Sequence, residues 1–330
     1  MSITPSKTWA PANREIIDIG GSKLDNTLDS QLHKAFKENV YFPKEIAYTM
    51  AMEKWCAIAD TSYQTFDEIK IIESTAGGIV AGIPATGGTI VDLGAANSPK
   101  FEPYVKSFVA QKKKCTYVAL DICLQSLTEH IAKASAKFPN VLCIGLWGDF
   151  KQGDLYFNNI PGPRLFLSLG SIFYNAPDDM CLDRCSEFKK HMHGSPHDRL
   201  IVGQDGPSAT ESSNSHKAYG TKEYHDFFTS YLAGVQRHAG IVADPTKAWS
   251  YESKMNASMH YFKVVAQHEM ICTRYGNLVV RAGTEYTMFP SWKRGASEIH
   301  RMTLGLGLRI ATLGKAPNSG MHQYIIGVDL

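Results

Sequence analysis

The stretch Thr89–Lys100, TIVDLGAANSPK, constrains this chain more than any other. Ile90 and Val91 are apolar and β-branched, which marks a buried strand. Asp92, Leu93 and Gly94 follow, then the small-residue turn Ala95-Ala96-Asn97-Ser98. Phe101, Val105, Phe108 and Val109 then recur at helical spacing. A strand that passes through small residues into a helix lets the backbone approach a ligand closely. Without further context, Gly94 is equally the hinge of an ordinary tight turn.

A second strand is predicted at Thr116–Ile122, TYVALDI, with Asp121 at its tip. In nucleotide-binding α/β folds an acid there accepts hydrogen bonds from ribose hydroxyls; the plain alternative is a helix cap. The turn after the first strand has one glycine where a pyrophosphate-binding G-x-G-x-x-G has three. That argues for an adenosine cofactor without a diphosphate, and S-adenosylmethionine (SAM) is the expected one. An NAD-dependent oxidoreductase on the same sheet is the competing enzyme class, and the missing glycines oppose it.

Strands are expected at 89–93, 116–121, 141–146, 164–169 and 199–204, with helical patterns between them. This rhythm predicts an α/β fold with a parallel, doubly wound sheet, whose ligands bind beyond the carboxyl ends of the strands. Polar groups gather at those ends: Gly148-Asp149-Phe150, Gly170-Ser171 reaching Asn175, and Asp205. Beyond Asp205 the texture changes to a polar loop at 206–217, an aromatic-rich helix at 218–239 and alternating strands at 259–266 and 270–288. A helix at 296–306 and a hairpin of 307–313 with 322–328 would complete a seven-stranded sheet.

Bulk properties exclude several classes. The 330 residues fit one large α/β domain or two interleaved ones. Net charge is +2 with 20% charged residues, so nucleic acid is not an implied partner. No apolar run approaches the ~20 residues of a membrane span, and the N-terminus shows no signal-peptide h-region. Seven dispersed cysteines suggest free thiols in a reducing compartment, with the cytosol the simplest location. His191, His193 and His197 lack a partner at metal-ligand spacing and read as a surface loop after a helix. No metal is expected, and a monomer is the default.

Four blocks in this order resemble the histidine-specific methyltransferases of ergothioneine biosynthesis and their fungal relatives, the dimethylallyltryptophan N-methyltransferases. They are VDLGAANSPK, YVALDI, GDF at 148–150 and LSLGSIFYN at 167–175. Upstream, Tyr63–Ile72, YQTFDEIKII, is similar to a Tyr-Pro-x-x-x-Glu element of that family. The resemblance implies a Rossmann-like class I SAM methyltransferase sheet with an inserted α+β substrate lobe. Residues 65–205 and 292–330 would hold SAM; 1–64 and 206–291 would form the substrate lobe. It also implies site roles. Gly94, Gly170 and Lys100 would face the methionine part of SAM, Asp121 the ribose, and Asp149 and Phe150 the adenine. Asn175 and Tyr219 would hold the head group of an amino-acid-like small molecule, with Tyr48 and Tyr63 completing the site. Each has a plainer reading: a turn former for Asn175, a solvated lysine for Lys100, core residues for the tyrosines.

Departures from the family pattern refine the expectation. Where the histidine enzymes carry Glu-x-Ser against the imidazole, this chain has Phe289-Pro290-Ser291. A phenyl ring cannot accept a hydrogen bond, and an unmet buried polar group costs about 1–3 kcal/mol. Histidine is therefore expected to be a poor substrate, and an indole or prenylated indole a better one, with Ser291 still able to donate. Ala96 stands where many relatives have glycine, and Phe66 where the histidine enzymes have arginine; nothing explains the latter. The expected activity is SAM-dependent N-methylation of an aromatic, indole-like amino acid in secondary metabolism such as alkaloid formation; a non-catalytic SAM-binding relative is the further alternative.

Overall fold

A computed structural model describes residues 9–193, 195–207, 217–256 and 259–328. Most of the 206–217 loop, and the first residues of the N-terminal stretch, lie outside them. The chain forms β1 (Ile16–Asp18), α1 (Leu24–Glu38), α2 (Glu45–Met50), α3 (Met52–Thr61) and α4 (Tyr63–Ala81). There follow β2 (Gly88–Leu93), α5 (Glu102–Ala110), β3 (Cys115–Asp121), α6 (Leu124–Lys137), β4 (Leu142–Trp147) and α7 (Phe150–Tyr156). Next come β5 (Arg164–Ser168), α8 (Asp178–Met192), β6 (Arg199–Asp205), α9 (Lys222–Ala239) and α10 (Pro245–Ala248). The rest is β7 (Trp249–Asn256), β8 (Met259–Ala266), β9 (Met270–Cys272), β10 (Leu278–Val280), β11 (Glu285–Thr287), β12 (Ser291–Trp292), α11 (Ala296–Gly305), β13 (Arg309–Lys315) and β14 (Met321–Gly327).

The large sheet has the order β1-β4-β3-β2-β5-β6-β14-β13. β1 through β6 run parallel, and β14 is antiparallel to β6 and β13. The strand order reverses at β2, which lies between β3 and β5. Ligands of doubly wound sheets bind at such a reversal, so the turn after β2 stands where a ligand is expected. Without β1, these are the seven strands anticipated from sequence, closing on the antiparallel hairpin.

Both faces of the sheet are covered. Ile90, Tyr117, Ala119 and Leu165 pack with Ile72, Val80, Tyr104, Phe108 and Ile131 of α4, α5 and α6. Val91, Val118, Ile144, Phe166 and Val202 pack with Cys181, Phe188, Ile299 and Met302 of α8 and α11. Strands buried on both faces need continuous apolar runs, which is why they were readable.

A separate core joins Leu28 and Leu32 of α1, Ile46 of α2, Phe228, Tyr231 and Val235 of α9, and Phe262 and Val264 of β8. β8 pairs antiparallel with β7, β11 and β12. Two corrections follow. β1 pairs with β4, Ile16 opposite Gly145, so the chain's N-terminal strand belongs to the large sheet rather than to the 1–64 portion of a substrate lobe. Three residues carry too little pattern to show that pairing. The other correction concerns His191, which is buried in α8, not on a surface loop, with Nδ1 3.1 Å from Asn158 Oδ1.

Candidate active site

The turn after β2 is shaped by two left-handed residues. Gly94 has φ 73, and its N–H donates to Leu120 O at 2.9 Å. A Cβ at Gly94 would stand 2.9 Å from Ile172 Cδ1 and 4.0 Å from Phe150 Cζ, so the bare backbone leaves room beside the Phe150 ring. Ala96 has φ 47, a conformation that costs a non-glycine residue about 1–2 kcal/mol. Its N–H donates to Asp121 Oδ2 at 2.8 Å, while Oδ1 accepts from Cys123 N at 2.8 Å. Asp121 thus ties the turn to the start of α6. Burial raises its carboxyl above the ordinary range, against the backbone N–H groups that favour the anion.

Lys100 is buried rather than solvated, and its Nζ lies 2.7 Å from Glu68 Oε2. Both Glu68 oxygens accept from Gly170 N at 3.0 Å. Gly170 has φ 76, and a Cβ there would stand 3.4 Å from Lys100 Nζ. Asp149 caps α7, accepting from Gln152 N at 2.8 Å, and the Gln152 side chain closes the capping box. The Arg184 guanidinium lies over the Phe150 ring, 5.8 Å from its centroid.

These residues fit SAM. Each Asp121 oxygen uses one lone pair and keeps another for a hydroxyl. Lys100 spends one of three donors on Glu68 and keeps two for a carboxylate. Gly94 opens the backbone next to an aromatic ring.

The second half of the site joins the sheet to the other lobe. Asn175 Oδ1 accepts from Trp292 N at 2.7 Å, and Tyr219 OH donates to the neighbouring Ser291 Oγ at 2.9 Å. Asn175 is therefore more than a turn former: its carbonyl is committed to β12, and its amide group remains a donor. The Tyr219 ring packs edge-on against Tyr224 and Phe262 at 4.9 and 5.1 Å. Tyr48 packs on Trp55 at 5.8 Å under the Lys44 ammonium. Burial raises the Tyr48 phenol, and Glu45, Tyr219 and Asp121 push the same way. Lys44 is lowered to about 8, first by burial and then by Arg184. Phe289 packs edge-on against Tyr231 at 5.2 Å, on the second-lobe core.

Sequence reasoning missed the most connected group here. Asp205 Oδ2 accepts from Tyr63 OH at 2.9 Å, Gln64 Nε2 at 2.8 Å and Lys293 Nζ at 2.9 Å. Burial disfavours the charge on Lys293, but Tyr219, Asp205 and Tyr63 outweigh it and hold the amine above its ordinary value. The one signal available was the position of Asp205 at a strand end. Glu68 was also overlooked. A Cβ at Gly203 would fall 1.5 Å from Glu68 Oε1, so the glycine of β6 makes space for that carboxylate. Arg294, fully buried, stacks on Trp292 at 4.6 Å and donates to Tyr174 O and Ala176 O, which pins the segment carrying Ser291 and Lys293 to the loop carrying Asn175.

A cavity of about 200 Å³ between α4 and β13, lined by Asp67, Lys70, Ile71 and Ser74, shares no residue with this site. Among the described residues no group of three or more His, Cys, Asp or Glu could hold a metal, and no helix is long and apolar enough to cross a membrane.

Comparison with known proteins bears on the same residues. Residues 49–327 match the model of a family described as histidine-specific methyltransferase, SAM-dependent. A 4-dimethylallyltryptophan N-methyltransferase of Arthroderma benhamiae is 29% identical over 152 residues, 44% of each chain, so the match spans less than half of that relative. Ergothioneine biosynthesis protein 1 of Neurospora crassa is 24% identical over 70% of this chain and 27% of its own. An N-methyltransferase of Aspergillus flavus is 22% identical over 76% of this chain and 73% of its own. Among solved structures, CalS10, an amino pentose methyltransferase from Micromonospora echinaspora, covers 87% of this chain and 98% of its own at 10% identity, with a TM-score of 0.37. The family match takes in β2 through β14, the turn after β2 and the Asn175–Trp292 contact alike. The chain therefore belongs to the histidine-specific, SAM-dependent methyltransferase family.

Proposed function

We propose that this chain is an N-methyltransferase acting on the α-amine of an aromatic, indole-like amino acid. The observation that carries the reading is the hydrogen-bonded junction Asn175–Trp292 and Tyr219–Ser291, which joins the methyltransferase sheet to the second lobe. It leaves the Asn175 amide as a donor for a carboxylate, and the Ser291 hydroxyl hydrogen for a second contact. Beside it the Tyr219 ring packs with those of Tyr224 and Phe262. Aromatic walls favour an aromatic guest by offset and edge-on contacts. Phe289, where an imidazole-binding acid would stand, supports an indole over histidine. Relatives named as acting on 4-dimethylallyltryptophan agree with this choice.

SAM supplies a methyl group whose bond to sulfur breaks, its electron pair staying on sulfur, as a nitrogen lone pair takes the carbon. The chain's own residues have the positioning work, which contributes up to ~7–11 kcal/mol in well-oriented reactions. Asn175 and the Ser291 hydroxyl, which Tyr219 orients by donating to its oxygen, would hold the carboxylate, and Tyr63 and Tyr48 the amine, whose proton is released to water before transfer. Asp121, Asp149, Phe150, Lys100, Gly94 and Gly170 would hold the cofactor. The test is incubation with methyl-labelled SAM and histidine, tryptophan, tyrosine or dimethylallyltryptophan. Label in an indole amino acid is expected; preference for histidine would overturn the reading.

A further inference from the structure

Tyr63 opens α4 and Asp205 closes β6, and the fold brings them within 2.9 Å, the phenol donating to Oδ2. Asp205 is 1% exposed and Lys293 5%, and their ion pair measures 2.9 Å. Desolvated charges persist only when paired and hydrogen-bonded; here each satisfies the other. A phenol carries a single hydrogen. Once that hydrogen is directed at a carboxylate, the Tyr63 oxygen can only accept. Gln64 Nε2 reaches the same phenol oxygen at 3.3 Å, besides donating to Asp205. One lone-pair direction of Tyr63 remains.

We propose that Asp205 and Lys293 are a positioning pair that fixes the Tyr63 hydroxyl as an acceptor, so that this side of the site reads the substrate's amine and not its carboxylate. The pair also solves an electrostatic problem. A bare carboxylate against the amine would favour the ammonium, which has no lone pair to give. Lys293 neutralises Asp205, and Tyr63 stands between, so the amine is oriented without its charged form being strongly favoured. The donors left for the carboxylate are the Asn175 amide and the Ser291 hydroxyl, whose oxygen accepts from Tyr219, and the two head groups of an amino acid are told apart by hydrogen-bond polarity. The inference rests on the N-methyltransferase reading above.

The test is a double-mutant cycle on the amino acid that the labelled-SAM panel shows to be methylated best. Asp205→Asn and Tyr63→Phe should each lower kcat/KM by about 10- to 100-fold, the range for a hydrogen bond to a charged group. Made together, they should cost less than about threefold more than Tyr63→Phe alone. SAM affinity by calorimetry should stay within about threefold in Tyr63→Phe, since the pair lies on the substrate side. Additive losses would overturn the proposal. Should Asp205→Asn not fold, Tyr63→Phe suffices, with inhibition by the desamino analogue of the same amino acid. The wild type should bind the amino acid at least about tenfold more tightly than the analogue, and the variant should lose that ratio; an unchanged ratio overturns the proposal. If the wild type methylates nothing in the panel, the functional reading falls and takes this inference with it. If methylation proceeds and the cycle is additive, only the inference falls.

Discussion

Asp92 tests the electrostatics of the site most directly. It is the acidic residue of β2, buried, with Tyr117 OH donating to its Oδ2 at 2.9 Å. The same phenol meets His130 Nε2 at 2.7 Å. Burial pushes the Asp92 carboxyl up to about 7, with Tyr117 and Lys100 opposing and Asp121 and Glu68 adding to the rise. Burial holds His130 down at about 4, so it stays neutral over the range of interest. The folded-state value lies above the unfolded 3.8, so folding favours the protonated acid. That stabilisation is complete below about pH 4 and disappears as the pH rises through 7. Between pH 5 and 8 the loss from this one group is about 2–3 kcal/mol, from two units at 1.36 kcal/mol each. Asp92→Asn keeps a donor and an acceptor but cannot ionise. In urea unfolding followed by tryptophan fluorescence, the stability of the variant relative to wild type should therefore rise by that amount from pH 5 to 8. Asp121 and Glu68 are present in both proteins and cancel in the difference. Parallel pH dependences of the two proteins would refute the reasoning.

Three other substitutions probe the two halves of the site. Gly94→Ala places a Cβ 2.9 Å from Ile172 Cδ1 at φ 73; it should cost about 1–2 kcal/mol of stability and weaken SAM binding, as calorimetry would show. Asn175→Ala leaves the Trp292 N–H without its acceptor and should cost about 1–3 kcal/mol while abolishing most methyl transfer; SAM binding should persist, and unchanged turnover would count against the assignment. Phe289→Glu offers an acceptor where the ring stood, and should raise turnover of histidine relative to tryptophan in the labelled-SAM assay.

Much of the fold was legible because strands covered on both faces must be apolar throughout, and five such runs alternate with helical periodicity. The places of Gly94, Asp121 and Asn175 at or just beyond strand ends were legible, because the strands before them are continuous apolar runs, and such sheets keep their ligands there. β1 was not, since three residues carry no period, nor was the burial of His191, which depends on α8 packing against Phe157 and Phe188. For Lys100 the sequence left a cofactor contact and a solvated first-turn lysine both open, because Glu68, the residue that draws it inward, belongs to a helix earlier in the chain.

By itself, then, the order of residues marked the strands of the large sheet other than β1, and the small-residue turn after β2. Only the folded chain decided which side chains share a charge or a proton. Tyr63, Asp205 and Lys293 are far apart in sequence and meet because α4, β6 and the segment before α11 converge on one strand edge. A hydrogen bond depends on distances of a few tenths of an ångström. Residue type and spacing along a chain do not encode distances between elements; packing does.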